Sequence, residues 1–193
     1  GPIIDQNGME DALLNQFRYT NLQDSTTNLG KEGSRYVKGY ADLFDKLADS
    51  YKQSGNQEKA LEILTKGTEI LPYVGLSHFF LGMFYFEDKD YNKAIEIFKN
   101  SKIKDPTMDW LVEYYISIAY NLQGDHEKAL DNLEKIAKEP EVRPEILREA
   151  IRICLKTGNK SRAESFLKTW LKYHPNDQEA LSLQANLNQY FNN

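Results

Sequence analysis

Cysteine is nearly absent: Cys154 is the only one in 193 residues. That excludes an intramolecular disulfide framework and a multi-cysteine zinc site, and it leaves the compartment open. Histidine is scarce too. His78, His126 and His174 lie far apart in the chain, with no metal-ligand or triad spacing around them. Glycines occur singly, with no phosphate-cradling cluster. No apolar run approaches the roughly 20 residues needed to span a bilayer, so no membrane insertion is expected of this segment. Excess positive charge is also lacking. Lys and Arg total 24 against 29 Asp and Glu, a net charge of -5, which argues against a nucleic-acid surface.

What is present is a soluble, globular composition, 40% hydrophobic and 27% charged, long enough for one domain with a substantial core. Gly1-Pro2 reads as the scar of a cleaved tag. The segment "LADSYKQSGNQEKALEIL" (47–64) reads as two short amphipathic helices around a glycine turn. The pattern returns as "FLGMFYFEDKDYNKAIEIF" (80–98), "SIAYNLQGDHEKALDNL" (117–133) and "AIRICLKTGNKSRAESFL" (150–167). A small residue early in each second helix recurs as Ala60, Ala94, Ala129 and Ala163, in steps of 34, 35 and 34. Tyr51, Tyr85, Tyr120 and Cys154 stand near the end of each first helix. Gly55, Gly124 and Gly158 mark three of the turns, with Lys89 in the fourth. Pro72, Pro106, Pro140 and Pro175 close the units.

Each position has a physical reason. Alanine lets two helices approach closely, and Leu64, Phe98, Leu133 and Leu167 fill the space between them. Glycine takes a left-handed conformation without Cβ strain. Proline cannot continue the helix it follows. Four unrelated helix pairs would not keep alanine, aromatic and proline in register.

The pattern resembles the tetratricopeptide repeat. Phe44, Leu47, Ala48, Tyr51, Ala60, Leu64, Gly67 and Pro72 carry the likeness in the first unit. The second unit carries it with Leu81, Gly82, Tyr85, Ala94, Phe98, Ser101 and Pro106, although His78 holds the usual tryptophan position. Glu113, Cys154 and Trp170 depart from the family pattern. The resemblance implies an all-α fold: a right-handed α-solenoid of about four helix-turn-helix repeats with a concave groove. The expected organisation is an N-terminal segment at 3–33, with a short helix and a polar loop, and then repeats over 34–176. The units fall near 41–74, 75–108, 110–143 and 144–177. A capping helix follows at 177–193, in which Ala180, Leu181, Leu183, Ala185 and Leu187 cover the fourth pair and Asp177 is the N-cap candidate.

In this family, ligands usually lie against the first helices of the pairs. The matching positions are Leu76, Phe79, Phe80, Met83 and Phe86 in the second unit, and Leu111, Tyr114, Tyr115, Ile118 and Asn121 in the third. The first unit places Asp42, Asp45 and Asp49 there, and the fourth Arg148 and Arg152. The resemblance thus implies an aromatic groove, acidic at one end and basic at the other, that takes a protein or peptide partner with apolar anchors. Aromatic stripes at helical spacing are also commonly core, and Asp42, Asp45 and Asp49 also fit a solvated face. The subclass that clamps C-terminal carboxylates needs Lys, Asn and Arg donors. The corresponding positions hold Asp45, Asp49, Phe80, Leu111 and Tyr115, so chaperone tails are not expected to bind that way. No residue is assigned to catalysis, metal or cofactor. Cys154 reads as a buried, inert thiol.

A second resemblance precedes the repeats. "LLNQFRYTNLQD" and the basic-aromatic stretch after it look like the soluble C-terminal tail of a multi-span bacterial membrane-protein family similar to protein O-mannosyltransferases. Phe17, Arg18, Asn21, Leu22, Arg35, Tyr36 and Tyr40 carry it. This likeness implies an accessory extracytoplasmic domain whose parent carries the transferase chemistry.

Overall fold

The computed structural model describes residues 4–19, 22, 30–104, 108–139 and 142–192, of which 30, 31, 34, 102–104 and 192 are described by backbone alone. Pro106 and Pro140 lie outside the described residues. Every regular element among the described residues is helical. The chain divides into two compact units, Gly1–Val112 and Glu113–Asn193.

The first unit opens with α1 (Gln6–Asp11), capped by the Asp5 side chain accepting from Gly8 N–H, and runs on into a π-helical turn, Ala12–Gln16. Two antiparallel hairpins follow: α2 (Gly30–Gln53) with α3 (Gln57–Ile70), and α4 (Gly75–Glu87) with α5 (Tyr91–Lys104). Because α2 begins at Gly30, the last residues of the stretch expected to be loop are its first turn. α6 (Asp109–Leu122) starts at the end of this unit and enters the second. There α7 (His126–Ile136), α8 (Pro144–Thr157), α9 (Lys160–Tyr173) and α10 (Gln178–Asn192) complete the chain.

The four turns that join the two helices of each hairpin have the same construction. The 56, 90, 125 and 159 N–H groups donate back to the carbonyls of Tyr51, Tyr85, Tyr120 and Cys154 at 2.8–2.9 Å. Gly55, Lys89, Gly124 and Gly158 donate to the carbonyls of Lys52, Phe86, Asn121 and Leu155. These are the paired bonds of a Schellman motif, which satisfy carbonyls that the helix end leaves orphaned. The side chains of Asn56, Asp90, Asp125 and Asn159 then cap the next helix by accepting from Lys59, Lys93, Lys128 and Arg162 N–H. One short segment therefore ends one helix and starts the next, which explains why the turns are so short.

The motif requires positive φ at its left-handed residue. Gly55, Gly124 and Gly158 adopt 71–86°, and Lys89 adopts 65° without being glycine. The left-handed region costs an L-residue about 1–2 kcal/mol, partly offset by glycine's greater unfolded-state entropy. Lys89→Gly should therefore stabilise the first unit by about 0.5–1 kcal/mol, read as a rise in the urea midpoint. An unchanged or lower midpoint would mean that Lys89 makes a compensating contact.

Ala60, Ala94, Ala129 and Ala163 are all fully buried, as their spacing requires. Gly82 goes further: a Cβ there would lie 2.6 Å from Phe98 Cδ1, so α4 and α5 meet more closely than even alanine permits. The N-terminal segment docks on the first hairpin. Leu13 is 1% exposed. Gln6 donates to Ser50 Oγ at 2.9 Å, and Tyr51 Oη donates to Glu10, which also pairs with Lys59 at 2.8 Å. Tyr19 closes the segment by donating to the Leu13 carbonyl and packing 5.3 Å from the Tyr40 ring.

In the second unit, α8 packs against α7 and α9, and α9 against α10. Trp170 is fully buried and donates from Nε1 to Asp177, whose carboxylate also caps α10. Arg162 ties α9 to α7 through Glu127, Asp131 and Glu134. Ala180 and Leu187 bury against the fourth pair as expected of a cap. Leu181 is 39% exposed and Ala185 is exposed, because they lie off the buried side of α10.

Candidate functional site

The groove-facing positions fall into two sets, one per unit. In the first unit α2 and α4 lie side by side. Their ends are joined by Lys52, which pairs with Glu87 and with Asp49 (3.8 Å) and stands 5.8 Å from the Phe84 ring centre. On α4, Leu76, Phe80, Met83 and Phe86 are half-buried. Phe79 is not a surface anchor. It is 8% exposed, 5.6 Å from the Phe98 ring and 6.2 Å from Phe80. One residue back from Phe80 on the helix, the Phe79 side chain turns about 100° round the axis and enters the α4–α5 interface, so it is core and not the groove anchor expected of it. Phe86 is drawn the same way, 5.6 Å from Tyr91. Phe80 and Met83 are also left partly open, Phe80 with one side packed against the core that α2 and α3 share.

On α2, Asp42 and Asp49 are exposed and Asp45 is half-buried. The N-terminal segment contacts Tyr40, Ser50 and Tyr51 instead, on another side of α2, so these acids stay uncovered by those contacts. Burial pushes the Asp45 carboxyl up to about 6 from its ordinary 3.8, and Asp49 and Asp42 push in the same direction. The fold therefore penalises the carboxylate. That penalty is full above about pH 6 and fades as the pH falls toward 3.8.

In the second unit, Tyr114 and Tyr115 are half-buried with rings 5.8 Å apart, edge to face, and Ile118 is half-buried beside them. Burial and then Glu149 raise the Tyr114 hydroxyl pKa, so it stays a neutral donor at physiological pH. Asn121 is buried, its Oδ1 2.8 Å from His126 Nδ1, so it belongs to the turn and not to a surface. Arg148 and Arg152 are exposed but already paired. Arg148 makes a bidentate contact with Glu179 (Nε 2.7 and 2.9 Å, Nη2 2.6 Å), and Arg152 holds Glu149 at 2.6 and 2.8 Å. Glu149 lies one turn from Arg152 and was readable as its partner. Glu179 lies 31 residues from Arg148 and was not.

The scarce nucleophile and histidines have structural partners. Burial pushes the Cys154 thiol up to about 12, so little thiolate exists at neutral pH. His174 Nε2 lies 3.0 Å from the Val142 carbonyl, and His78 Nδ1 lies 3.2 Å from that of Val74. No described helix is long and apolar enough to cross a membrane. No group of three or more His, Cys, Asp or Glu side chains among the described residues is placed to hold a metal ion.

A tetratricopeptide repeat family model matches residues 120–187, and a second matches 41–72 and 77–101. The chain belongs to the tetratricopeptide repeat family. The matched ranges hold all four buried alanines, Ala60, Ala94, Ala129 and Ala163. Solved structures of similar fold include PilF of Pseudomonas aeruginosa (18% identity, 83% of this chain and 76% of that one, TM-score 0.57). A thermophilic tetratricopeptide protein of Thermus thermophilus, TTC0263, shares 17% identity over 80% of this chain and 88% of its own (TM-score 0.56). MamA from Desulfovibrio magneticus RS-1 shares 16% over 92% and 99% (TM-score 0.56). No curated protein matches the chain. Tetratricopeptide domains are in general protein-interaction scaffolds, and that general role is the functional class of this fold.

Proposed function

We propose that this tetratricopeptide domain is a non-catalytic scaffold that docks a protein or peptide partner on its first-of-pair helices. Phe80 and Met83 on α4 are the apolar contacts of the first unit, and Tyr114, Tyr115 and Ile118 on α6 form a separate apolar set within the second unit. One observation carries the reading: the partial exposure of Phe80 and Met83 beside a fully packed Phe79. Half-open aromatic side chains on rigid helices offer large contact area at low entropic cost, and such anchors dominate binding energies. The absence of carboxylate-clamp donors directs the reading away from chaperone tails.

The test is capture of a partner by the immobilised domain, with the bound segment identified by peptide mapping. Phe80→Ala with Met83→Ala should weaken capture of that segment by about tenfold or more while keeping a cooperative thermal transition. Undiminished capture by this variant sinks the proposal.

The alternative reading, an accessory extracytoplasmic domain of a glycosyltransferase-like membrane protein, rests on the resemblance of the stretch around Phe17, Arg18 and Tyr40. In the structure Phe17 and Tyr40, from the two halves of that resemblance, lie 5.5 Å apart with rings tilted by 58°, and Tyr19 meets both edge-on. Apolar segments of about 20 residues upstream in the complete gene would support it.

A further inference from the structure

We infer that the α2–α4 face of the first unit takes a cationic amphipathic segment of a protein partner. Its lysine or arginine side chains lie over Asp42, Asp45 and Asp49, and its apolar stripe lies over Leu76, Phe80 and Met83. This rests on the docking reading above and specifies the chemistry of the partner.

Charge balance decides the sign. The two cations that suggested a basic end, Arg148 and Arg152, are neutralised by Glu179 and Glu149 within the second unit. The acidic face is compensated only in part, by Lys52 and by Lys38, which is exposed one helical turn before Asp42. Lys52 serves both Asp49 and Glu87, one cation for two carboxylates. Asp42 and Asp45 form no ion pair with the described residues, and Lys46 is exposed on the same helix. Asp45 faces Asp42, Asp49 and Lys52 on its own helix and Glu87 on α4, three acids against one base. Its half-burial strengthens every charge interaction it makes. A guanidinium or ammonium placed there relieves the repulsion, whereas an anionic segment adds to it. The acids are not arranged as a metal site, so side-chain cations are the matching ligand. The half-buried apolar side chains of the neighbouring α4 supply the contact area that charge alone lacks.

The test uses the full 193-residue chain and three fluorescein-labelled helical peptides of about 18 residues. They share one leucine–phenylalanine stripe and carry lysine, glutamine or glutamate on the polar face. Fluorescence anisotropy at low salt should show the lysine peptide binding about tenfold more tightly than the glutamine peptide, with the glutamate peptide weakest. Asp45→Asn with Asp49→Asn should weaken the lysine peptide about tenfold, against less than about twofold for the charge-matched control Glu139→Gln with Glu164→Gln in the second unit. Phe80→Ala should weaken both the lysine and the glutamine peptide. Because the cation selects the ionised Asp45, affinity should fall about tenfold from pH 7 to pH 5, and this fall should vanish in Asp45→Asn. Thermal melts of the variants report that they are folded.

Equal binding of the lysine and glutamine peptides, both dependent on Phe80, overturns the cationic assignment and leaves the docking reading standing. Lysine-peptide binding untouched by the aspartate changes overturns the site. Lysine-peptide binding that depends on the aspartates but not on Phe80 overturns the apolar half and the docking reading with it. Failure of all three peptides to bind overturns both.

Discussion

Trp170→Ala is expected to destabilise the second unit by about 3–5 kcal/mol. The indole is fully buried in α9 and is the largest such side chain in the chain. Truncation removes its transfer energy and leaves a cavity that the surrounding α8–α10 helices fill only in part. A polar loss adds to this. Trp170 Nε1 donates to Asp177 at 3.2 Å, and the other oxygen of that carboxylate accepts from Glu179 and Ala180 N–H at the start of α10. Backbone donation from Ala180 leads the effects that hold the Asp177 carboxyl below its ordinary range. The indole thus braces the cap of the last helix, and the Arg148 guanidinium stands 5.6 Å from its ring. Domains retain only about 5–15 kcal/mol in total, so a loss of this size should abolish protection of α8–α10 in hydrogen exchange and lower the urea midpoint. Trp170→Phe, which keeps most of the volume, should cost distinctly less. A fall below about 1 kcal/mol for the alanine variant would show that the site collapses without penalty.

Phe98→Ala should cost the first unit a comparable amount, about 3–5 kcal/mol. Phe98 is fully buried, 5.6 Å from the Phe79 ring and 6.4 Å from Phe86. It lies over the bare Cα of Gly82, where no Cβ fits. The converse substitution, Gly82→Ala, gains about 1 kcal/mol of helix propensity and loses about 1–3 kcal/mol to overpacking, a net destabilisation. The two sites must therefore couple. In a Phe98→Leu background, Gly82→Ala should become neutral or stabilising, and urea unfolding of all four proteins measures the interaction energy. Additive effects would mean that α4 and α5 can part without cost.

The repeat register was legible because its chemistry is local. Alanine at 60, 94, 129 and 163 and the left-handed residues at 55, 89, 124 and 158 act within a single hairpin. Four repetitions of that grammar separate it from chance. The Asx caps at 56, 90, 125 and 159 were equally open to inspection, since each lies one residue beyond the turn. Which aromatic residues stay open was not legible. Phe79 and Phe80 are neighbours of the same type, and only the position of α5 decides that one is core and the other half-open. The basic end likewise dissolved once Glu179 was found beside Arg148, a pairing across 31 residues.

From the amino-acid order alone follow the helical hairpins, their period and the family, because helix caps, small-residue contacts and turn conformations depend on neighbours within one unit. Only the tertiary structure decided which surface side chains are available, which charges are already spent on each other, and that Asp45 lies half-buried among like charges. Burial and ion pairing are set by residues distant in the chain, and no local spacing encodes them.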